Sequence, residues 1–262
     1  MKRRSSTAVA LTVAGSDSGG GAGIQADLKI FHAHGVFGTS AITCITAQNP
    51  GHVSAVQPLA PRLVAEQMDR VFEAFPVGAA KTGMLYDAAI IEVVAHGFAR
   101  RKFSKLVVDP VMVASSGALL LKKNAVNALT SKLFPLAAVV TPNLTEAEVL
   151  ARRTIRTLND LRSAAQLLAE KYGVPFLVKG GHLPGANRAV DVLFDSEQFT
   201  EYRTAMVPKI KTHGTGCTFS AAITANLALG HSLTESVARA KGFVTRAIRD
   251  AVKVGRHRAL RI

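Results

Sequence analysis

Short apolar runs alternate with amphipathic segments along the whole chain, and no other feature constrains the fold as strongly. Segments 9–14, 39–46, 78–81, 105–109, 137–141 and 175–179 read as buried strands. Segments 189–194 and 198–204 read as a later antiparallel pair around Asp195-Ser196. Between the strands, Ile24, Leu28 and Phe31 share one helical face that Gly35 stops. Leu161, Ala165, Leu168 and Tyr172 do the same behind a Thr157 cap. Ser232 and Glu235 form a capping-box pattern ahead of the stripe Leu233, Val237, Ala240, Val244 and Ile248. Such alternation predicts an α/β fold, a mostly parallel sheet with helices on both faces. Ligands then gather beyond the carboxyl ends of the strands. With no internal repeat, low-complexity tract or linker, the 262 residues read as one domain, with a core over about 9–250 and a basic tail over 253–262.

Composition narrows the function classes. The chain is 48% hydrophobic and 19% charged, enough apolar material for a large core and too much for disorder. Its two cysteines, Cys44 and Cys217, lie far apart and read as thiols of a cytoplasmic protein, not as a disulfide framework. No apolar stretch reaches the roughly 18 residues a membrane helix needs. Lys2-Arg3-Arg4 ahead of 8–14 mimics a secretory leader, but the apolar run is short, β-branched and feeds a glycine-rich turn, as a first strand would. The net charge of +14 is dispersed, apart from Lys2-Arg3-Arg4 and the tail residues Lys253, Arg256, Arg258 and Arg261. Without tryptophan or interleaved aromatics it fits a basic surface that attracts nucleotides, not a nucleic-acid binder.

Several segments carry chemistry. Thr212-His213-Gly214-Thr215-Gly216-Cys217-Thr218 is a glycine turn feeding an apolar helix from Phe219 to Leu229 that Gly230 ends. Converging N–H groups and the helix start make it an anion cradle, with Cys217 where the helix dipole lowers a thiol pKa. The earlier loop around Gly19-Gly20-Gly21 lacks the Gly-Lys-Ser/Thr ending of a P-loop. Asp27 falls on the apolar face of its helix, so either a ligand or an internal donor must meet it. Gln48 offers donor and acceptor together, which suits an aminopyrimidine edge. Asp109 ends a buried strand. Asn143 and Glu146 stand at a helix start, as oxygen ligands for Mg²⁺ or as helix caps. Lys179 ends an apolar strand and needs an anion. Met84 and Val111 fit a core or a pocket wall equally, Cys44 reads as a small core residue, and His182 and His213 read as local structure.

Seven segments occur in order: the Ala14-to-Leu28 glycine loop, Thr46-Ala47-Gln48-Asn49, Lys81-Thr82-Gly83-Met84-Leu85, Asp109-Pro110-Val111-Met112, Thr141-Pro142-Asn143-Leu144-Thr145-Glu146, Val178-Lys179-Gly180-Gly181-His182 and the Cys217 turn. Together, from about Val9 to Asp250, they resemble the hydroxymethylpyrimidine/phosphomethylpyrimidine kinases of the ribokinase-like superfamily. The resemblance implies a three-layer α/β/α sandwich. It also implies ATP- and Mg²⁺-dependent phosphorylation of 4-amino-5-hydroxymethyl-2-methylpyrimidine, then of its monophosphate, for thiamin biosynthesis. By the same resemblance Gly15, Asp27, Gln48, Met84 and Val111 contact the pyrimidine. Asp109 and Glu146 serve the metal, and Asn143 and Lys179 serve ATP. Cys217 acts as base or positioner beside the N–H groups of Gly214, Thr215 and Gly216. A cytoplasmic homodimer is implied as well. Pyridoxal kinases of the same branch share the cysteine turn, though Gln48 and Met84 favour the pyrimidine; a non-catalytic pyrimidine sensor is the remaining alternative. The family's glycine-rich Gly-x-Gly-x-Gly-Pro ending is absent here, replaced by the basic tail.

Overall fold

The computed structural model describes residues 7–112, 120–122, 124–181, 183, 188–207 and 213–262. Nine strands form one sheet: β1 (Val9–Asp17), β2 (Phe37–Asn49), β3 (His52–Pro58), β4 (Val77–Thr82), β5 (Leu106–Val108), β6 (Val139–Val140), β7 (Phe176–Gly180), β8 (Arg188–Asp195) and β9 (Gln198–Ala205). Their order is β3-β2-β1-β4-β5-β6-β7-β8-β9. The six from β2 to β7 are mutually parallel, while β3 returns antiparallel on β2 and β8 and β9 are antiparallel additions.

Strand periodicity builds the layers. Side chains alternate across a sheet, so Leu11, Ala80, Val108, Val140 and Val178 enter one core. Ala10, Ala79, Val107, Val139 and Leu177, their chain neighbours, enter the other. The first core is closed by α2 (Pro61–Ala74), α3 (Ala88–Ala99), the single turn α4 (Ala125–Ala128), α5 (Leu144–Ala151) and α6 (Leu158–Tyr172). The second is closed by α1 (Gly23–Ala33), α7 (Thr215–Ala228) and α8 (Leu233–Arg249). The result is the expected α/β/α sandwich. Capping sets several helix starts: Asn143 with Glu146, Thr157 with Asp160, and Ser232 with Glu235 each make a reciprocal capping box.

Three details differ from the sequence reading. The hairpin partner β3 carries mostly exposed residues, so it lacks the apolar signal of a buried strand. Helix α7 begins at Thr215, not Phe219, because Gly214 caps it. The basic tail folds back as a small hairpin, β10 (Val252–Val254) with β11 (His257–Ala259). No described helix is long and apolar enough to cross a membrane.

Candidate active site

The six parallel strands deliver their carboxyl ends to one edge of the sheet. Asp17, Gln48, Thr82-Gly83-Met84, Asp109, Asn143 and Lys179 all stand at or just beyond those ends, and the start of α7 closes over them. The topology thus gathers six of the seven sequence segments without any of them being adjacent in the chain, and α7 brings the seventh.

On one side lies an apolar cluster. A side chain at Gly15 would place its Cβ 2.7 Å from Cys44 Sγ and 3.4 Å from Met84 Sδ, so only glycine fits there. Cys44, Met84 and Leu120 form a small cluster against which Val111 and Tyr86 pack. Gly15, Met84 and Val111 are therefore brought together. Cys44 is buried as expected, but it belongs to this cluster, which the sequence reading missed. Val111 has φ of 40°, a conformation a β-branched residue avoids; such strain costs about 1–3 kcal/mol and concentrates where a ligand is held.

Gln48 opens beside a polar network. Its carboxamide is 3.2 Å from Thr46 Oγ1 and 3.2 Å from His213 Nε2. His213 Nε2 is in turn 3.0 Å from Asp17 Oδ2. Asp17 also accepts from the N–H groups of Gly19, Gly21 and Ala22. Burial pushes its carboxyl up, but these hydrogen bonds, led by His213, outweigh burial and hold it below the usual range. The first glycine loop therefore spends its N–H groups on its own aspartate, which agrees with its not being a P-loop. His213, read as local structure, links this loop to Gln48. His182 lies outside the described residues.

The second glycine turn is different. Gly214 has φ of 81°, and a Cβ there would fall 1.7 Å from the Gly21 carbonyl oxygen, so the turn tolerates no side chain. It caps α7, whose first-turn N–H groups and positive end face the cleft. At the Cys217 thiol, burial opposes the helix start. Burial pushes it up to about 11; Asp27 and Asp109 reinforce the rise, and Lys81 and the Gly23 N–H oppose it. Desolvation outweighs the helix dipole, so the cysteine is a thiol at neutral pH.

Asp27 has two candidate partners in the sequence reading, a ligand or an internal donor. Expected on the pyrimidine side, it is fully buried, with Lys81 Nζ 2.9 Å from both its oxygens and the Thr12 hydroxyl at 2.6 Å. An internal donor meets it, not an open cleft. Burial raises its carboxyl. Burial also opposes the charge on Lys81, but Asp27, then Cys217 and Asp109, outweigh it and hold the ammonium above its usual range.

On the other side stands a charged cluster. Lys179 Nζ donates to Asp109 Oδ1 at 3.1 Å, and the Ser220 hydroxyl to Asp109 Oδ2 at 3.0 Å. Lys179 also lies near Gly216, whose hypothetical Cβ would be 3.5 Å from Nζ. Glu146 accepts from the backbone N–H groups of Asn143 and Met112. Burial raises its carboxyl, with Asp109 adding and Lys179 opposing. Asn143 and Glu146 thus do form caps, but the Glu146 carboxylate still reaches the Lys179–Asp109 cluster electrostatically. Two carboxylates, each oxygen accepting one hydrogen bond and keeping a second lone pair, fit a hydrated divalent cation arriving with its own waters. Among the described residues no three-residue His/Cys/Asp/Glu cage exists.

A family model described as phosphomethylpyrimidine kinase matches residues 17–260. The chain belongs to this family. Within the phosphomethylpyrimidine kinase family it is 44% identical over 246 residues to a hydroxymethylpyrimidine/phosphomethylpyrimidine kinase of Bacillus subtilis, covering 94% of this chain and 91% of that one. It is 48% identical over 246 residues to the thiamine biosynthesis bifunctional protein ThiED of Geobacter sulfurreducens, of which it spans half. The solved ADP complex of Bacillus subtilis pyridoxal kinase superposes with a TM-score of 0.90 at 38% identity, over 98% of this chain and 97% of that one.

Proposed function

We propose that this protein transfers the γ-phosphoryl group of ATP to 4-amino-5-hydroxymethyl-2-methylpyrimidine, and then to the resulting monophosphate. The observation that carries this reading is the juxtaposition, at one sheet edge, of an apolar cluster and one carboxamide with a glycine turn at a helix start and a lysine–carboxylate cluster. The family to which the chain belongs agrees with it. The same reading takes the protein as a cytoplasmic homodimer in one domain.

In this reading the flat pyrimidine lies against Gly15, Met84, Val111 and Cys44, and Gln48 reads its amino edge. Its hydroxymethyl group points toward Cys217. With the thiol protonated, Cys217 orients the acceptor hydroxyl and does not ionise to deprotonate it. The N–H groups of Gly214, Thr215 and Gly216 hold the charge of the transferring phosphoryl group; one such donor contributes about 10²–10³ in rate. Lys179 and Asn143 hold the polyphosphate. Asp109 and Glu146 would hold Mg²⁺ through its waters, and the ion would neutralise phosphate charge. Asp27 and Lys81 lie behind this layer and support Cys217 without touching the pyrimidine.

The close structural likeness to a pyridoxal kinase favours pyridoxal as a second acceptor. ADP release measured with and without the pyrimidine tests the reading. Acceptor-dependent release supports a kinase, whereas a non-catalytic sensor binds the pyrimidine and releases none.

A further inference from the structure

We propose that His213 is a positioning residue that sets the orientation of the Gln48 carboxamide, and so decides which edge the protein offers its acceptor. The inference rests on the proposed function only in taking an aminopyrimidine as that acceptor.

The argument is a count of protons. The nitrogen and oxygen of a carboxamide are alike in shape, so the hydrogens around them decide which end is which. The Thr46 hydroxyl has one hydrogen, and the Ser16 carbonyl oxygen at 2.8 Å takes it. That leaves Thr46 at most a share of this hydrogen for Gln48 Oε1, 3.2 Å away, or a lone pair for a Gln48 N–H if the carboxamide turns. At the other end stands Asp17, an ionised carboxylate with nothing to donate. His213 Nε2, 3.0 Å from Asp17 Oδ2, must then carry the hydrogen. The Gln48 atom 3.2 Å from that same Nε2 has to be an acceptor, which is Oε1. With the hydrogen on His213 Nε2, the amide turns so that Oε1 faces His213, sharing that hydrogen with Asp17, and Nε2 faces Thr46, the reverse of the order in which the two atoms are otherwise placed.

Among the described residues no other group makes that choice. Thr46 alone would accept Nε2–H or, by turning its hydroxyl, donate to Oε1. The His213 hydrogen, pinned by Asp17, removes the second option. His213 Nδ1 is buried and has no hydrogen-bond partner among the described residues, so toward these residues the ring acts through Nε2. The ring packs over Gly21, where a Cβ would be 2.9 Å from Cδ2, and it immediately precedes Gly214. One residue thus ties the acceptor-reading amide to both glycine turns. Gln48 is left with one N–H and one oxygen lone pair in a fixed order. A ring nitrogen beside an exocyclic amino group matches that order, and an acceptor with the pair reversed or missing does not.

The test measures binding of 4-amino-5-hydroxymethyl-2-methylpyrimidine by calorimetry to the full-length protein and its variants. His213→Ala should weaken binding about three- to tenfold, the worth of one net hydrogen bond. His213→Gln, whose amide nitrogen reaches the place of Nε2, should restore most of it. In a Gln48→Leu background, His213→Ala should cost nothing further, a coupling that a merely structural histidine would not show. An equal loss in both backgrounds, or no recovery with His213→Gln while both variants melt like the parent, would overturn the proposal. Tight pyrimidine binding without product would overturn the kinase reading alone and leave the role of His213 standing.

Discussion

Replacing Lys81 by methionine isolates the buried charge beneath the site. Lys81 and Asp27 are both fully shielded from solvent, with Nζ 2.9 Å from each carboxylate oxygen. Methionine fills nearly the same volume, so packing changes little, and the loss is that of the cation. Breaking a buried pair by removing one partner costs about 3–5 kcal/mol, because the other charge is stranded. Thr12 still donates one hydrogen bond to Asp27, which favours the lower end. For a chain of this size each kcal/mol moves Tm by roughly 2–4 °C, so a fall on the order of 10 °C is expected. Adding Asp27→Asn should recover most of it, since no charge then remains to strand. The pH dependence has a definite sign. Burial raises the Asp27 carboxyl already in the parent, and losing Lys81 raises it further above its unfolded value near 3.9. A carboxyl raised on folding destabilises at high pH, and the penalty fades as pH falls through the folded value. The gap between variant and parent should therefore be wider near pH 8 than near pH 5. Thermal and urea unfolding of the parent, the single variant and the double variant check this. A loss under about 1 kcal/mol, a double variant no better than the single, or a gap that widens in acid would refute the reasoning.

Three further outcomes follow from the turn that opens α7. Cys217→Ala should lower kcat on the order of 100-fold while leaving pyrimidine affinity within about twofold, since the thiol orients the hydroxyl and is not the main contact. With that thiol pushed up to about 11, parent kcat should be flat between about pH 6.5 and 9; a tenfold rise per unit would show the thiolate acting as base. Gly214→Ala should cut kcat by at least about 100-fold by displacing the turn from Gly21, and unchanged turnover would show that these N–H groups do not hold the phosphoryl group.

The layers were legible because short apolar runs between turn residues alternate with amphipathic segments, whereas the strand order came only from the fold. β3 was not legible, because an edge strand with solvent on both sides has no apolar pattern to read. The capping boxes at Asn143, Thr157 and Ser232 were visible as spacings and formed as such. The fate of Asp27 was half legible. A carboxylate on an apolar helix face demanded a partner, and Lys81 at the end of an apolar strand demanded an anion, yet the sequence places them 54 residues apart. The same logic that singled out Lys179 would have singled out Lys81. The Cys217 thiol was partly legible for a different reason. A helix start is local and can be read, whereas the desolvation that outweighs it comes from the whole cleft. His213 was set aside because a histidine beside a glycine turn carries no pattern; only the fold brings Asp17 and Gln48 to its Nε2.

The central claim is tested most directly by incubating the protein with Mg-ATP and, separately, 4-amino-5-hydroxymethyl-2-methylpyrimidine, its monophosphate and pyridoxal, and resolving the products by mass. The account predicts diphosphate from both pyrimidines, with the monophosphate appearing first from the alcohol. Product from pyridoxal alone would contradict it, and with it the role given to Gln48.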